Sequence, residues 1–429
     1  MYKKNNSYLT KVSNYGFGDI DVRDSYKGLP LQFFWTWLTG KALPNGNLPL
    51  KASETLLTTT QMILQLIWSW GVIVLSIYCS VIANNIFISI IALIFIVNRT
   101  RGLLHTFHYT QHGAGIKNKK LALFLCEYFM SIPILHLTLK EYARIHNKEH
   151  HGKFTMCTKD DPDQQFMMAH KFKANMSHSE FWLKLIFSPF HPMRIIDHIS
   201  FRLKHNFVHP TKRQILVRII FWTIVFSIVS FYNFWFYFVL YYLFPLLFLT
   251  QISSYLQHVT EHLWFPLKKP EHVRKKEYYA SLTWGRFLGR PFPSKSIYPN
   301  SILIFKYLEW IFKTICIDLF IRLFSYMQDM SCHDYHHRRP GVNFWAIEQE
   351  RANDELVLSD HGPMTETWSW LESVYILRDH LVFNESDPFS LYGLKESKHN
   401  TNCSTVCKEK CNSRACENKK NKNQLNNIY

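Results

Sequence analysis

Two long stretches of this chain contain no Asp, Glu, Lys or Arg: Gln61 to Asn98 and Ile219 to Thr260. A segment that must cross a bilayer needs that absence, because each buried charge is costly there. Acidic residues are scarce overall, 32 against 49 Lys+Arg, for a formal charge of +17. A basic balance admits nucleic acid, anionic lipid or an acidic protein partner. No nucleic-acid-binding motif accompanies the charge, so no nucleic-acid partner is expected. The opening MYKKNNSYLT lacks an apolar h-region, so no cleaved signal peptide is expected. No repeat at solenoid spacing is present. Cysteine is sparse and unframed: five of nine are scattered, and Cys403, Cys407, Cys411 and Cys416 crowd the C-terminal tail. The tail gaps fit zinc ribbons poorly, which points to a reducing compartment and a disordered, reduced tail.

What is present is apolar and aromatic. Hydrophobic residues make up 47% and aromatics 16%, as in a membrane protein with sizeable extramembrane parts. As one helix, Gln61 to Asn98 would run roughly 57 Å, about twice a bilayer core. Two spans folded at Asn84-Asn85 fit better. Ile219 to Thr260 is also too long for one crossing and should fold near Tyr232-Asn233, with Arg218 at its entrance. Pro245 is tolerable in a membrane helix. The expected fold class is all-α: two transmembrane hairpins, four spans, and a helical cap on one side. Residues 99–213 carry eighteen Lys+Arg against eight Asp+Glu, and the hairpin tips carry no charge. The positive-inside rule therefore puts residues 1–60, 99–213 and 261–429 in the cytoplasm.

Smaller features fill in this plan. Turn signals at Gly16, Gly18, Pro30 and Pro44–Asn47 mark the N-terminal region. Phe33, Phe34, Trp35 and Trp37 suit either lipid headgroups or a local packing cluster. Residues 121–139, broken by Glu127 and Pro133, read as a helix in the interface or dipping partway in. Residues 301–328 read as another interfacial or cap helix. The expected divisions are an N-terminal cytosolic segment (1–60), a membrane domain (61–345), a C-terminal cap segment (346–383) and a polar tail (384–429).

Four clusters hold eleven of the twenty-two histidines: HTFHYTQH at 105–112, HNKEHH at 146–151, His258 with His262, and HDYHH at 333–337. His105, His108 and His112 share one helical face that continues the second span. His146, His150 and His151 read as an i/i+4 pair plus a neighbour on a helix, and so do His333, His336 and His337. One such pair is weak evidence, since paired histidines also occur on solvated faces. Four clusters on one side of a membrane point to a shared metal centre. More than six imidazoles exceed the four ligands of a structural zinc and suit two metal ions. A mostly imidazole shell with open positions suits iron that binds O₂. HEXXH is absent, because Thr110 and Gln111 occupy the middle of HYTQH. The charge-free spans count against a histidine-based metal transporter, whose sites lie near the bilayer midplane.

The boxes HYTQH, HNKEHH and HDYHH, in this order around two hydrophobic hairpins, resemble those of the integral-membrane fatty acid desaturase and hydroxylase superfamily, over roughly residues 60 to 345. The resemblance implies a four-span helical enzyme with two iron ions in its cytosolic cap, using O₂ as co-substrate. It implies an oxidoreductase acting on an unactivated C–H bond of a fatty acyl or alkyl lipid. Desaturation is the first expectation, and hydroxylation of an alkyl, acyl or carotenoid substrate is the alternative. Carried over, His108, His112, His146, His150, His151, His333, His336 and His337 would be ligands, with His262 completing the shell. His258 stands where some family members place Asn, and His105 lies outside the usual box. Both are possible additional contributors. Asp161 and Asp163, in the DPD after the second box, and Arg338 and Arg339 after the third are candidates for supporting the site or meeting a headgroup, as is TWGRFLGRPFP at 283–293. For each, a plain turn or a solvated basic loop is the competing reading. The HPGG haem motif is absent, so electrons are expected from a separate ferredoxin, rubredoxin or cytochrome b5 type of donor. His136, His170, His178, His191, His198, His205, His209, His272, His361, His380 and His399 read as structural or solvated.

Overall fold

Two asparagines turn the charge-free stretches back on themselves. In the computed structural model Asn84 and Asn233 both take the left-handed conformation, at φ 43° and 51°, which a short amide side chain tolerates. Asn85 then caps the next helix, its Oδ1 accepting from the N–H of Phe87 at 2.9 Å and of Ile88 at 3.3 Å. The structure describes residues 21–45, 55–152, 154–267, 275–295, 297–327, 330–355, 364–385 and 388. Outside the described residues lie the tail cysteines, Gly16, Gly18, the end of the Pro44–Asn47 turn, His272, His361 and His399.

The first hairpin is α1 (Thr55–Ala83) and α2 (Ile86–Gln111). A connecting region follows, with α3 (Leu139–Arg144), α4 (Pro162–Ala169) and α5 (Pro192–Phe207). The second hairpin is α6 (Lys212–Phe231) and α7 (Trp235–His258). Beyond it come α8 (Asn300–Lys313), α9 (His333–Arg338) and α10 (Ile347–Asp354). Among the described residues the strand content is one two-residue parallel bridge, Gly285-Arg286 with Glu366-Thr367. The fold is all-α. Among the described residues four helices, one from each hairpin arm, are long and apolar enough to cross a membrane.

Their outer faces show what surrounds them. Ile67, Trp68, Phe87, Ile91, Ile220 and Phe231 are all exposed. In water such a belt would drive aggregation, whereas against acyl chains it is the expected surface. Pro245 removes one backbone donor from α7, and two π turns, Val239–Leu243 and Pro245–Leu249, absorb the break. Arg218, at the start of the second charge-free stretch, is fully buried. It donates to Asn206 Oδ1 at 3.2 Å and Ser131 Oγ at 3.1 Å, and it pairs with Glu127. That pair explains a charge inside the broken 121–139 segment, which forms two short pieces, Lys119–Cys126 and the π turn Glu127–Ser131. Region 301–328 exposes Ile304, Phe305, Leu308, Phe312 and Ile315 along α8 and the turn after it, as an interfacial helix does. The N-terminal aromatics divide: Trp35 packs on Tyr26 and Trp310, while Phe33 faces outward.

The third histidine box is tied down by a buried ion pair. Asp334, within HDYHH, accepts from Arg351 Nε at 3.0 Å and Nη2 at 2.9 Å, joining α9 to α10. Removing one partner of a buried pair strands the other charge and costs about 3–5 kcal/mol. Arg351→Met is therefore expected to lower thermal stability by that order, measured by unfolding in detergent. An unchanged midpoint would show that water reaches Asp334 and replaces the arginine.

Candidate metal centre

Helix α2 runs unbroken from the first hairpin tip to Gln111, so His105 and His108 ride the inner end of a spanning helix and His112 caps it. The second box departs from the expected i/i+4 spacing. Residues Ile145–His150 form a π turn, closed by the His151 N–H donating to His146 O at 2.8 Å. A π turn brings i and i+5 into line. His146 Nε2 and His151 Nε2 accordingly meet at 2.9 Å, while His150 points elsewhere. The third box lies on α9, every residue of it buried.

Nine imidazoles converge in two groups. His108, His112, His146, His151 and His336 bring one ring nitrogen each within 4.8 Å of one another, and His150, His262, His333 and His337 do the same. Within the first group, His108 Nε2 lies 2.8 Å from His336 Nε2. Within the second, His337 Nε2 is 2.9 Å and His262 Nε2 3.4 Å from His333 Nε2. The groups touch where His151 stacks on His337, with ring centroids 4.3 Å apart.

Both groups have the chemistry of metal sites. Among the buried ring nitrogens, His112 Nε2, His262 Nδ1, His336 Nδ1 and His337 Nδ1 have no hydrogen-bond partner among the described residues. The three Nδ1 atoms lie across their rings from the Nε2 atoms that meet in the groups, on the side where ordered water answers such a nitrogen. Burial pulls the His112 imidazole down to about 3. Burial first, and neighbouring rings second, hold His146, His151, His262, His333, His336 and His337 well below the usual histidine range. Neutral rings keep the lone pairs that coordinate metal.

Carboxylates flank the second group. Asp161, fully buried, accepts from His150 Nδ1 at 3.1 Å and from the Cys157 N–H at 2.7 Å, and it caps α4 through the Asp163 N–H at 2.9 Å. Asp163 lies 3.2 Å from His150 Nδ1 and 3.6 Å from His258 Nε2. Burial opposes charge on His150, but Asp161 and Asp163 outweigh it and lift that ring to about 10. The DPD is thus a support for His150 as well as a turn. His258 and His105 fall in neither group: His258 bonds Ser254 O at 2.8 Å, and His105 stacks near His108.

Several residues here escaped the sequence reading. Glu261 Oε1 comes within 3.1 Å of His333 Nε2 and accepts from Gln257 at 2.9 Å. Tyr142 lies parallel to His146 at 5.1 Å, its hydroxyl 3.3 Å from His108 Nδ1. Adjacency to His262 was the sole sequence signal for Glu261. The basic loops turn inward instead of offering free guanidiniums to a headgroup. Arg286 is fully buried, donating to Met330 O at 2.6 Å. Arg290 pairs with Asp318 at 3.1 Å, Arg338 is buried, and Arg339 is engaged by Asp354 at 3.2 Å.

A cavity of about 660 Å³ opens beside the centre, lined by His108, Tyr142, His146, His150 and Phe166 among others. Its size is that of a small-molecule site. Spanning helices, a largely buried imidazole cluster and an adjoining cavity define an all-α membrane protein built around a metal-competent centre. Residues 83–294 match the family described as Fatty acid desaturase, a match that implies an oxidoreductase and suggests a lipid substrate. The match contains the first two boxes and His262 but ends before the third, which the fold returns to the same centre. No curated protein and no solved structure matches the chain.

Proposed function

We propose that the chain is an O₂-dependent diiron desaturase that introduces a double bond into a fatty acyl chain. The observation that carries this reading is the division of nine imidazoles, seven of them buried and His108 and His112 half-buried, into two adjoining groups beside a cavity. In this reading one ion is held by His108, His112, His146, His151 and His336, and its neighbour by His150, His262, His333 and His337. Two irons there would supply the O₂ chemistry that attacks an unactivated C–H bond. The protein's own contribution is to keep the other rings neutral by burial, to orient His150, whose second proton a metal would displace, through Asp161, and to exclude bulk water. The Lys/Arg excess of residues 99–213 supports a cytoplasmic centre, and electrons would come from a separate acidic donor protein steered by the basic surface.

The test pairs metal and product. Purified protein is expected to hold about two irons per chain, as the nitrogen-rich donor set favours. A heterologous host expressing the chain should accumulate an unsaturated acyl product. One zinc and no iron in an active preparation would sink the proposal. A hydroxylated product with two irons would transfer it to the hydroxylase branch.

A further inference from the structure

A third cluster of donor atoms lies away from the histidine boxes, where α3 meets the end of α5. Glu141 Oε1 is 2.9 Å from His205 Nδ1 and 3.7 Å from His209 Nδ1, and the two ring nitrogens are 3.3 Å apart. A tetrahedral zinc with bonds of 2.0–2.1 Å requires ligand atoms about 3.3–3.4 Å from one another. The three atoms average that spacing without any movement. Two imidazoles and one carboxylate form a donor set that zinc accepts, with a fourth corner left for water. The corner is accessible, because the His209 side chain is 46% exposed while those of Glu141 and His205 are 21% and 12%.

The backbone supports these positions. Thr138 caps α3 by accepting from the Glu141 N–H at 3.2 Å. Asn206, next to His205, donates to His136 O at 3.2 Å, and Arg202 donates to Ile134 O at 2.5 Å. The site therefore rests on two elements already held in register. Its position gives it a further meaning. Tyr142, Ile145 and His146 line one part of the 660 Å³ cavity, and His198, Phe201 and Arg202 of α5 line another. A cation bound by Glu141, His205 and His209 joins those two walls.

We propose that Glu141, His205 and His209 form a third metal site that binds Zn²⁺ and staples α3 to α5 at the edge of the cavity. It differs from the nine-histidine centre in being mixed-donor, partly exposed and exchangeable. Its existence does not depend on what the main centre does.

Zinc is counted on the purified full-length protein after dialysis against buffered Zn²⁺, with iron measured in the same samples. The wild type should take up one zinc more than His209→Ala or Glu141→Gln, whose affinity should fall at least about tenfold, the scale on which even outer-shell losses act. Iron content should be the same in all three. Cobalt substitution should give a visible tetrahedral absorption in the wild type that His209→Ala lacks. Because His209 is exposed, this variant should fold even if Glu141→Gln does not. Equal zinc uptake by wild type and His209→Ala would overturn the proposal and leave the cluster as a hydrogen-bonded Glu–His pair. An active preparation without iron that still shows the His209-dependent zinc would sink the diiron reading and leave this one standing.

Discussion

Replacing His336 by alanine is expected to abolish turnover while leaving the protein in the membrane. His336 has the His108 nitrogen 2.8 Å away and the rings of His112 and His151 at 4.6 and 5.0 Å. It is therefore central to the five-histidine group. Losing a direct ligand should exceed the roughly 10–100-fold that outer-shell partners cost, so activity should drop by more than about 100-fold. The spans do not share this dependence, since their apolar faces and tight asparagine turns hold without metal. Lipid analysis of a host expressing the variant, with membrane fractionation as the folding check, measures both. His105→Ala is the internal control: its ring lies in neither group and should be far more tolerant. Near-normal product from His336→Ala would remove the five-histidine group from the chemistry.

The second large effect is expected at Asp161. Asparagine there retains the α4 cap, because Asn and Asp serve about equally as N-caps. What it loses is the charge facing His150 Nδ1–H, which fixes that ring's tautomer and orientation. Asp161→Asn should therefore lower metal affinity or turnover by about 10–100-fold, beside the modest stability cost of the buried Cys157 N–H it leaves unpaired. Asp163→Asn should be milder, because that carboxylate is shared with His258 and is 32% exposed. Metal retention against a graded chelator, read beside turnover, separates the two. If Asp161→Asn held its metals as tightly as the wild type, the carboxylate would be a helix cap and nothing more.

The elements that proved legible in the sequence were those written in local runs. Charge-free stretches of double span length foretold both hairpins, and Asn84-Asn85 and Tyr232-Asn233 marked their tips because so few residues accept the left-handed turn. Spacing foretold that each histidine box would present its rings together. It did not reveal the sorting of rings into two groups, which depends on a π turn whose extra residue leaves no mark in the periodicity. Nor could spacing connect partners such as Glu261 with His333, or Glu141 with His205 and His209, which only the tertiary fold brings together. The arginines show a related limit. Arg286 is held by carbonyls and Arg338 is buried at the end of α9, and composition cannot tell a guanidinium facing solvent from one enclosed by the fold.

The π turn at Ile145–His150 has a consequence for assembly. Two pairs of consecutive residues straddle the centre: His150 and His151 face different groups, as do His336 and His337. One peptide unit thus separates a donor to one position from a donor to the other. Any ion seated on either side would freeze the main chain that presents ligands to its neighbour. Loading would then be cooperative, passing from empty to full with little half-filled protein between. The two positions would act as one thermodynamic unit, gained or lost together.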